Sequence, residues 1–483
     1  MSVDSPQPNL SKEPPAWRGW ALLAAALLGT FLLGLLATSI VQRREEARPQ
    51  PPLVPVKPLE TDSSKWGVSF PREYDSYRRM VDDTTTTRYG GSVPRDYLQE
   101  TPANVILFAG YGFAKEYRQA RGHVYAIEDV THTKRLAPST PATCWTCKSP
   151  DVPRLMAQMK PAEFYKRPFD SLKGQITHPI GCLDCHKPNT MELTITRPAL
   201  IEALARQNRK LDQVSHQEMR TLVCAQCHVE YYFRGPGKYL TFPWDKGTSP
   251  EAIDAYYQAA GFSDWTHAVS KTLMIKMQHP DYEVYSTGIH AYRNVSCADC
   301  HMPYRTEGGV KFTDHHVQSP LLNIANSCAV CHRWSEEEIR QRVYAIQDKV
   351  KEGRGRAEHT IAEAHLDIAA AMQAGAGDEE LKPARELVRQ AQLRWDYVAA
   401  NNGMGFHSPV ECTRILTAAV DLAGESRLAT ARTLARHGVT RPIAYPDVST
   451  KEKAQALVKQ FVDGPPPKLL PAAEPQARGR VTP

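Results

Sequence analysis

Apolar and polar positions divide this chain into stretches of different kinds. Residues 1–19 are polar and read as a disordered cytoplasmic N-terminus. Trp20 to Val41 carries no charge. As a helix rising ~1.5 Å per residue it is long enough for a ~30 Å hydrocarbon core. Residues 42–65 form a linker, and Arg48 to Pro58 within it is proline-rich, as a semi-rigid spacer would be. From Trp66 to Trp334 no period is sustained, and proline and glycine punctuate short segments, which predicts short helices and little sheet. The pattern changes after Trp334. Ser335 with Glu338 makes a capping-box pattern that opens a helix running to about Ala374. Asp378 opens a second, ending near Gly403. Ser408, with Pro409 at the first helical position and Glu411 three residues on, opens a third, for which Gly438 is a stop. Residues 335–440 thus read as a helical packing region or homodimer interface, and 441–483 as a C-terminal tail, proline-rich from Gly464. The expected fold class is mainly α, with long C-terminal helices.

Cysteine placement turns that outline into chemistry. Ten of the eleven cysteines fall into five C-x-x-C pairs. In four of them a histidine follows directly: Cys182, Cys185 and His186; Cys224, Cys227 and His228; Cys297, Cys300 and His301; Cys328, Cys331 and His332. This is the c-type haem attachment pattern, in which two thiols bond the porphyrin vinyl groups and the imidazole binds iron. The first pair, Cys144-Trp145-Thr146-Cys147-Lys148, has lysine in the fifth position. Zinc ribbons or redox dithiols would pair the motifs two by two, which five do not allow, and would leave the histidines without a role. The chain is therefore read as a multihaem c-type cytochrome with five covalent haems in residues 66–334.

Haem changes the meaning of the bulk numbers. Porphyrin faces supplement a hydrophobic content of 42%, slightly low for a globular chain. Haem propionates offset the formal charge of +6, and the basic residues are scattered, so no nucleic-acid partner is expected. Covalent haem attachment takes place outside the cytoplasm, so Trp20–Val41 serves export. Its length and the poor cleavage sequence Ser39-Ile40-Val41-Gln42 favour an uncleaved anchor on the periplasmic side of a bacterial inner membrane. The alternative is a cleaved signal and a soluble periplasmic protein. Lys12 and Arg18 precede the span and Arg43 and Arg44 follow it, so flanking charge does not set the orientation; the haem motifs place the large C-terminal part outside.

Each regular iron needs a sixth ligand. Of seventeen histidines four follow the motifs, leaving thirteen candidates. An amine binds metal only when neutral, so the iron must override the ordinary lysine pKa of about 10.4 at Lys148. One odd haem beside four regular ones suggests a division of labour: chemistry at the first, electron supply from the others.

Four C-x-x-C-H motifs preceded by one C-x-x-C-K resemble the ammonia-forming pentahaem cytochrome c nitrite reductases, over roughly residues 66–440. The resemblance implies six-electron reduction of nitrite to ammonium at the Lys148 haem. It implies distal ligands: His123, in Arg121-Gly122-His123-Val124-Tyr125-Ala126, for the His228 haem; His315, next to His316 and so open to a slip of one, for the His186 haem; His290 for the His332 haem; and His407, in Gly405-Phe406-His407-Ser408-Pro409, for the His301 haem. It implies that Arg135, Tyr231 and His279 face the open haem position. It also implies a calcium ion held by the Glu230 carboxylate, the Tyr231 and Lys276 carbonyls and the Gln278 amide, all oxygen donors as a hard cation requires. Family members usually take electrons from a separate membrane-bound multihaem quinol dehydrogenase and have a cleaved signal; with its own anchor this chain would depart from that.

The residues alone also allow plainer roles. Arg135 would serve equally as a surface or propionate-pairing arginine, Tyr231 as core packing beside Tyr232 and Phe233, and His279 as a loop histidine. His132, His178, His216, His267, His359, His365 and His437 carry no motif and read as surface or core residues, and Cys412 as a buried apolar side chain. At the level of function the rival readings are a non-enzymatic multihaem electron carrier and a related enzyme acting on hydroxylamine or sulfur oxyanions.

Overall fold

The structure, a computed structural model, describes residues 15–46 and 50–471. The outer termini expected to be disordered, 1–14 and 472–483, lie outside the described residues, as do 47–49 of the spacer. The chain divides into two units, one ending at Pro51 and one beginning at Pro52. The first contains helix α1, Trp17–Glu46. It outruns the uncharged span at both ends, and on the C-terminal side the flanking Gln42 to Glu46 are good helix formers. Its apolar side chains are exposed throughout.

In the second unit, residues 62–331 form short helices and three two-stranded antiparallel hairpins among the described residues. These are β1 Tyr232–Arg234 with β2 Tyr239–Thr241, β3 Trp265–Thr266 with β4 Leu273–Met274, and β5 Tyr304–Glu307 with β6 Val310–Thr313. The last closes through Gly308 and Gly309, both at positive φ (58° and 78°), as a two-residue primed turn requires. Around the first haem motif a core gathers from Trp145, Phe164, Phe169, Leu200, Leu222, Phe242 and Trp244.

Long helices follow: α2 Glu336–Gln373, α3 Asp378–Ala399 and α4 Pro409–Arg436. Ser335 and Glu338 cap α2 reciprocally, and Gly438 ends α4 at φ 80°. The second helix stops at Ala399, short of Gly403, because Asn401 to Gly405 turns to carry His407. The three pack on one another, with Ala357, Ala364, Ala391, Ala419 and Ala423 buried between them. A fully buried segment, Val105–Ala109, runs into this bundle. Gln392 on α3 donates to the Leu107 carbonyl at 2.7 Å, and Trp265 on β3 donates to that of Ala109 at 3.2 Å. The stretch expected as a tail holds one more helix, α5 Lys451–Asp463, capped by Thr450 and burying Ala454, Leu457 and Val458. Beyond it Leu469 is fully buried and its N–H donates to Gln373 at 2.9 Å.

Candidate functional site

The motif histidines do not stand alone. His228 faces His123, His186 faces His315, His332 faces His290 and His301 faces His407, with ring centroids 6.4, 6.2, 6.3 and 6.2 Å apart. A metal bonded at ~2 Å to one nitrogen of each ring puts the centroids about 6 Å apart, so all four pairs have the separation of two axial ligands. The second-nitrogen contacts agree. His186 Nδ1 meets the Met191 carbonyl at 2.8 Å, His301 Nδ1 that of Gln318 at 2.9 Å, and His315 Nδ1 that of Thr313 at 2.7 Å. A carbonyl only accepts, so Nδ1 carries the proton and Nε2 keeps a lone pair for metal. His228 Nδ1 lies 3.1 Å from Asp281 Oδ2, and Asp281 is fixed by two donors from Asn402. His332 instead stacks on Trp334 at 5.1 Å. The residues present thus fit haem. His316 turns away: its Nε2 bonds Asp83 at 3.0 Å, so His315 is the ring that faces His186.

Sulfurs of different motifs adjoin. The Cys147 thiol meets that of Cys227, and the Cys224 thiol meets that of Cys297. The third motif, Cys224–His228, therefore touches both the lysine motif and the fourth.

Around Lys148 the arrangement is different. Lys148 is half-buried, Tyr231 is half-buried, and Arg135 and His279 are exposed. Arg135 is held by its Nε bond to Thr133 Oγ1 (3.1 Å) and by stacking of its guanidinium on Phe113 at 4.4 Å. Burial raises the Tyr231 phenol well above its ordinary value, with Arg135 opposing, so the phenol stays protonated and can donate. His279 has an accessible surface, yet the surrounding protein mass desolvates it; this and the nearby Lys148 charge lower its imidazole to about 3. It is neutral at ordinary pH. Charge and donor groups from three separate segments thus lie about the Cys144–Lys148 motif.

Glu230, which is fully buried, ends at the same place. Its Oε1 accepts from the Tyr257 hydroxyl at 2.7 Å and its Oε2 from the Gln278 N–H at 2.5 Å, both neutral donors. Burial raises its carboxyl well above the usual range. Beside it Glu283 Oε1 accepts from the Glu230 N–H and Trp244 Nε1, and burial pushes Glu283 up to about 8. Gln278 Nε2 donates to the Lys276 carbonyl at 3.1 Å. The two ends of an amide are nearly isosteric; turned over, Gln278 would aim Oε1 at that carbonyl, and two such oxygens beside a buried carboxylate suit a hard cation. Among the described residues no three His, Cys, Asp or Glu side chains form a metal cage, so carbonyl oxygens would supply most of the ligands. The donor set fits calcium.

Sequence reasoning missed what supports these groups. Lys276 Nζ donates to Asp396 Oδ1 on α3 at 2.8 Å, and lies over Phe108, Phe113 and Tyr117 at 5.2, 4.9 and 5.4 Å. Asp396 Oδ2 accepts the Met277 N–H at 2.8 Å, pinning the segment before His279. No local motif marks Asp396, Asp281 or Phe113. Six of the seven histidines without motifs have other partners, and His216 is exposed. His132, His178, His359 and His437 bond Glu128, Asp151, Glu363 and Glu380, and His267 stacks on His365 in the core. Cys412 is fully buried.

The comparisons extend over nearly the whole chain. A cytochrome c-552 of Bacteroides fragilis is 48% identical over 458 residues, covering 93% of each chain. One from Porphyromonas gingivalis is 46% identical, covering 94% of each. Among solved structures, the catalytic subunit of the Desulfovibrio desulfuricans cytochrome c nitrite reductase, described with two calcium sites, superposes with a TM-score of 0.75 at 35% identity, over 78% of this chain and 87% of that one. The cytochrome c552 profile matches residues 62–464, from the first helix after the spacer to the end of α5, and on that extent the chain belongs to the cytochrome c552 family.

Proposed function

We propose that this protein is a nitrite reductase that takes nitrite to ammonium, consuming six electrons and eight protons and releasing two waters. Cys144 and Cys147 would attach the working haem and Lys148 would bind its iron. The four histidine pairs would hold the haems that supply electrons. When bound, the haem at Cys144, Cys147 and Lys148 would supply an iron able to take nitrite and the electrons passed to it. The observation that supports this reading is the contrast between motifs: four histidines each face a second imidazole, whereas Arg135, Tyr231 and His279 lie within electrostatic reach of the Cys144–Lys148 motif.

The chain's own residues do the rest. Arg135 carries a permanent charge with directed donors and holds the anion. His279 and protonated Tyr231 would donate to the nitrite oxygens and pass protons as the N–O bonds break. Calcium at Glu230, Tyr231, Lys276 and Gln278 would compensate the buried carboxylate and draw the anion in. The protein would act on the periplasmic side of the membrane, held there by α1 or released after cleavage, as a homodimer receiving electrons from a membrane-bound multihaem quinol dehydrogenase or other membrane donor.

The test is turnover of the purified five-haem protein with a chemically reduced dye as electron source. Six dye electrons should be consumed for each ammonium formed, and nitrite should perturb the spectrum of one haem only. An absence of ammonium, with no haem responding to nitrite, would leave an electron carrier. Faster turnover of hydroxylamine or sulfite than of nitrite would favour the other enzyme class.

A further inference from the structure

The lysine motif is built unlike the others. In three histidine motifs the N–H of the fifth residue donates to the carbonyl of the first cysteine: His186 to Cys182, His228 to Cys224 and His332 to Cys328, each at 2.9 Å. The Lys148 N–H donates instead to the Trp145 carbonyl, at 2.9 Å, in a tighter turn. Both residues between its cysteines are locked. Trp145 stacks on Phe169 at 4.1 Å and donates from its indole to the Phe169 carbonyl, and Thr146 Oγ1 donates to the Thr143 carbonyl at 2.7 Å.

One buried side chain grips the carbonyls on either side of Lys148. Arg197 Nε donates to the Thr146 carbonyl at 2.7 Å and its terminal nitrogen to the Ser149 carbonyl at 3.0 Å. The same guanidinium pairs with Asp184, which lies between the cysteines of the second motif. Gln226, between the cysteines of the third, donates to the Asp184 carbonyl at 2.8 Å and accepts from the Thr196 N–H at 3.1 Å. Three motifs thus meet at an arginine that is 1% exposed.

We propose that Arg197 is a positioning residue for the lysine ligand, fixing the Lys148 backbone through the Thr146 and Ser149 carbonyls so that the amine reaches iron in one geometry. This rests on Lys148 being an iron ligand. The need follows from the side chain. An imidazole is aimed by the bond its second nitrogen makes, as at His186, His228 and His301. An amine has no second nitrogen and ends a flexible four-carbon stem, so it must be aimed from the backbone. Only a planar fork with several donors reaches two carbonyls and a carboxylate together.

The experiment compares full-length five-haem protein with Arg197→Lys, with the double variant Arg197→Met, Asp184→Leu, and with Lys148→Ala. The double variant removes the ion pair without stranding a buried charge. Haem content is read by intact mass, the working iron by its high-spin paramagnetic resonance signal, and nitrite turnover as separate kcat and KM. The expected result is five haems and unchanged low-spin signals in both Arg197 variants, a high-spin signal that broadens or splits, and kcat lower by roughly tenfold to a hundredfold with little change in KM. A parent-like high-spin signal and kcat in either Arg197 variant that retains five haems would overturn the proposal. So would failure of both to accumulate with five haems, which would make Arg197 a folding residue. A parent-like signal in Lys148→Ala would instead bring down the ligand assignment itself, whatever Arg197 does.

Discussion

A lysine amine and a histidine imidazole are not interchangeable at iron, because one is a strongly basic, flexible donor and the other a rigid ring with a second nitrogen to orient it. Lys148→His should still attach haem, since the Cys144 and Cys147 thiols are untouched, but should change the electronics of that iron. Nitrite turnover should fall by roughly a hundredfold while dye electrons still reduce the other haems. Turnover at the parent's rate would remove Lys148 from the centre of the mechanism. Glu230 makes a separate prediction. Its two neutral donors, Tyr257 and the Gln278 N–H, leave its charge uncompensated in a buried place. Glu230→Gln keeps the size and loses the charge, so bound calcium measured by elemental analysis should drop and nitrite turnover with it, while the haems proposed at the four histidine pairs keep their spectra. Unchanged calcium content would reject the site. At this scale the motif residues were plain in the sequence, since their spacing is covalent chemistry. Their partners were not: His123 lies far from His228 in the chain, and only resemblance paired them. Arg197, Asp281 and Asp396 carry no local mark because their roles exist only once distant segments meet.

Elements were legible where caps and periodicity agreed. Ser335 with Glu338, Pro409 and Gly438 delimit helices that the structure contains. Strands of two to four residues are too short to show a period, and α5 hid among prolines despite burying Ala454, Leu457 and Val458 on one face. What joins α2, α3 and the Val105–Ala109 segment was equally hidden. His267 and His365 stack at 3.7 Å in the core; His267 Nε2 bonds the Ile106 carbonyl at 2.8 Å and His365 Nε2 bonds Gln392 at 2.9 Å. Burial lowers both imidazoles from 6.5, His365 to about 4. The neighbouring His365 ring and the Lys271 charge further oppose protonation of His267. Above pH 6.5 both rings are neutral folded or unfolded, and they contribute no pH dependence. Below it the unfolded chain takes up protons that the folded one refuses, so stability falls toward pH 4, by about 1.4 kcal/mol per pH unit for each ring. The thermal unfolding midpoint should therefore decline as pH drops from 6.5. His365→Gln, which can still bond Gln392 and Ser270, should remove about half of that contribution. An identical acid slope in parent and variant would mean the pair does not control it.

For the molecule as a whole, the open question is what keeps it beside its electron source. The helix α1 spans Trp17–Glu46 and exposes Leu, Phe and Ile on every side, whereas a surface helix of a folded domain would be apolar along one stripe. A signal peptide has an apolar core of about 7–15 residues, and this one is longer. An uncleaved α1 would hold the protein in the membrane at high salt with its N-terminus intact; an N-terminus beginning between Thr38 and Pro52 would show cleavage instead. The helix lacks any group that oxidises a quinol, so anchoring does not replace the donor. What it changes is encounter: two proteins confined to one membrane meet at a higher effective concentration than a soluble enzyme and a membrane donor do. Replacing residues 1–46 with a cleavable signal should then leave dye-driven nitrite reduction as it was, because the haem region is untouched. Quinol-driven reduction in membranes should fall, and should fall further on dilution, since the released protein must find its donor from solution. If the quinol-driven rate were the same with and without α1 at every dilution, the donor itself would hold the protein, and the helix would serve export alone.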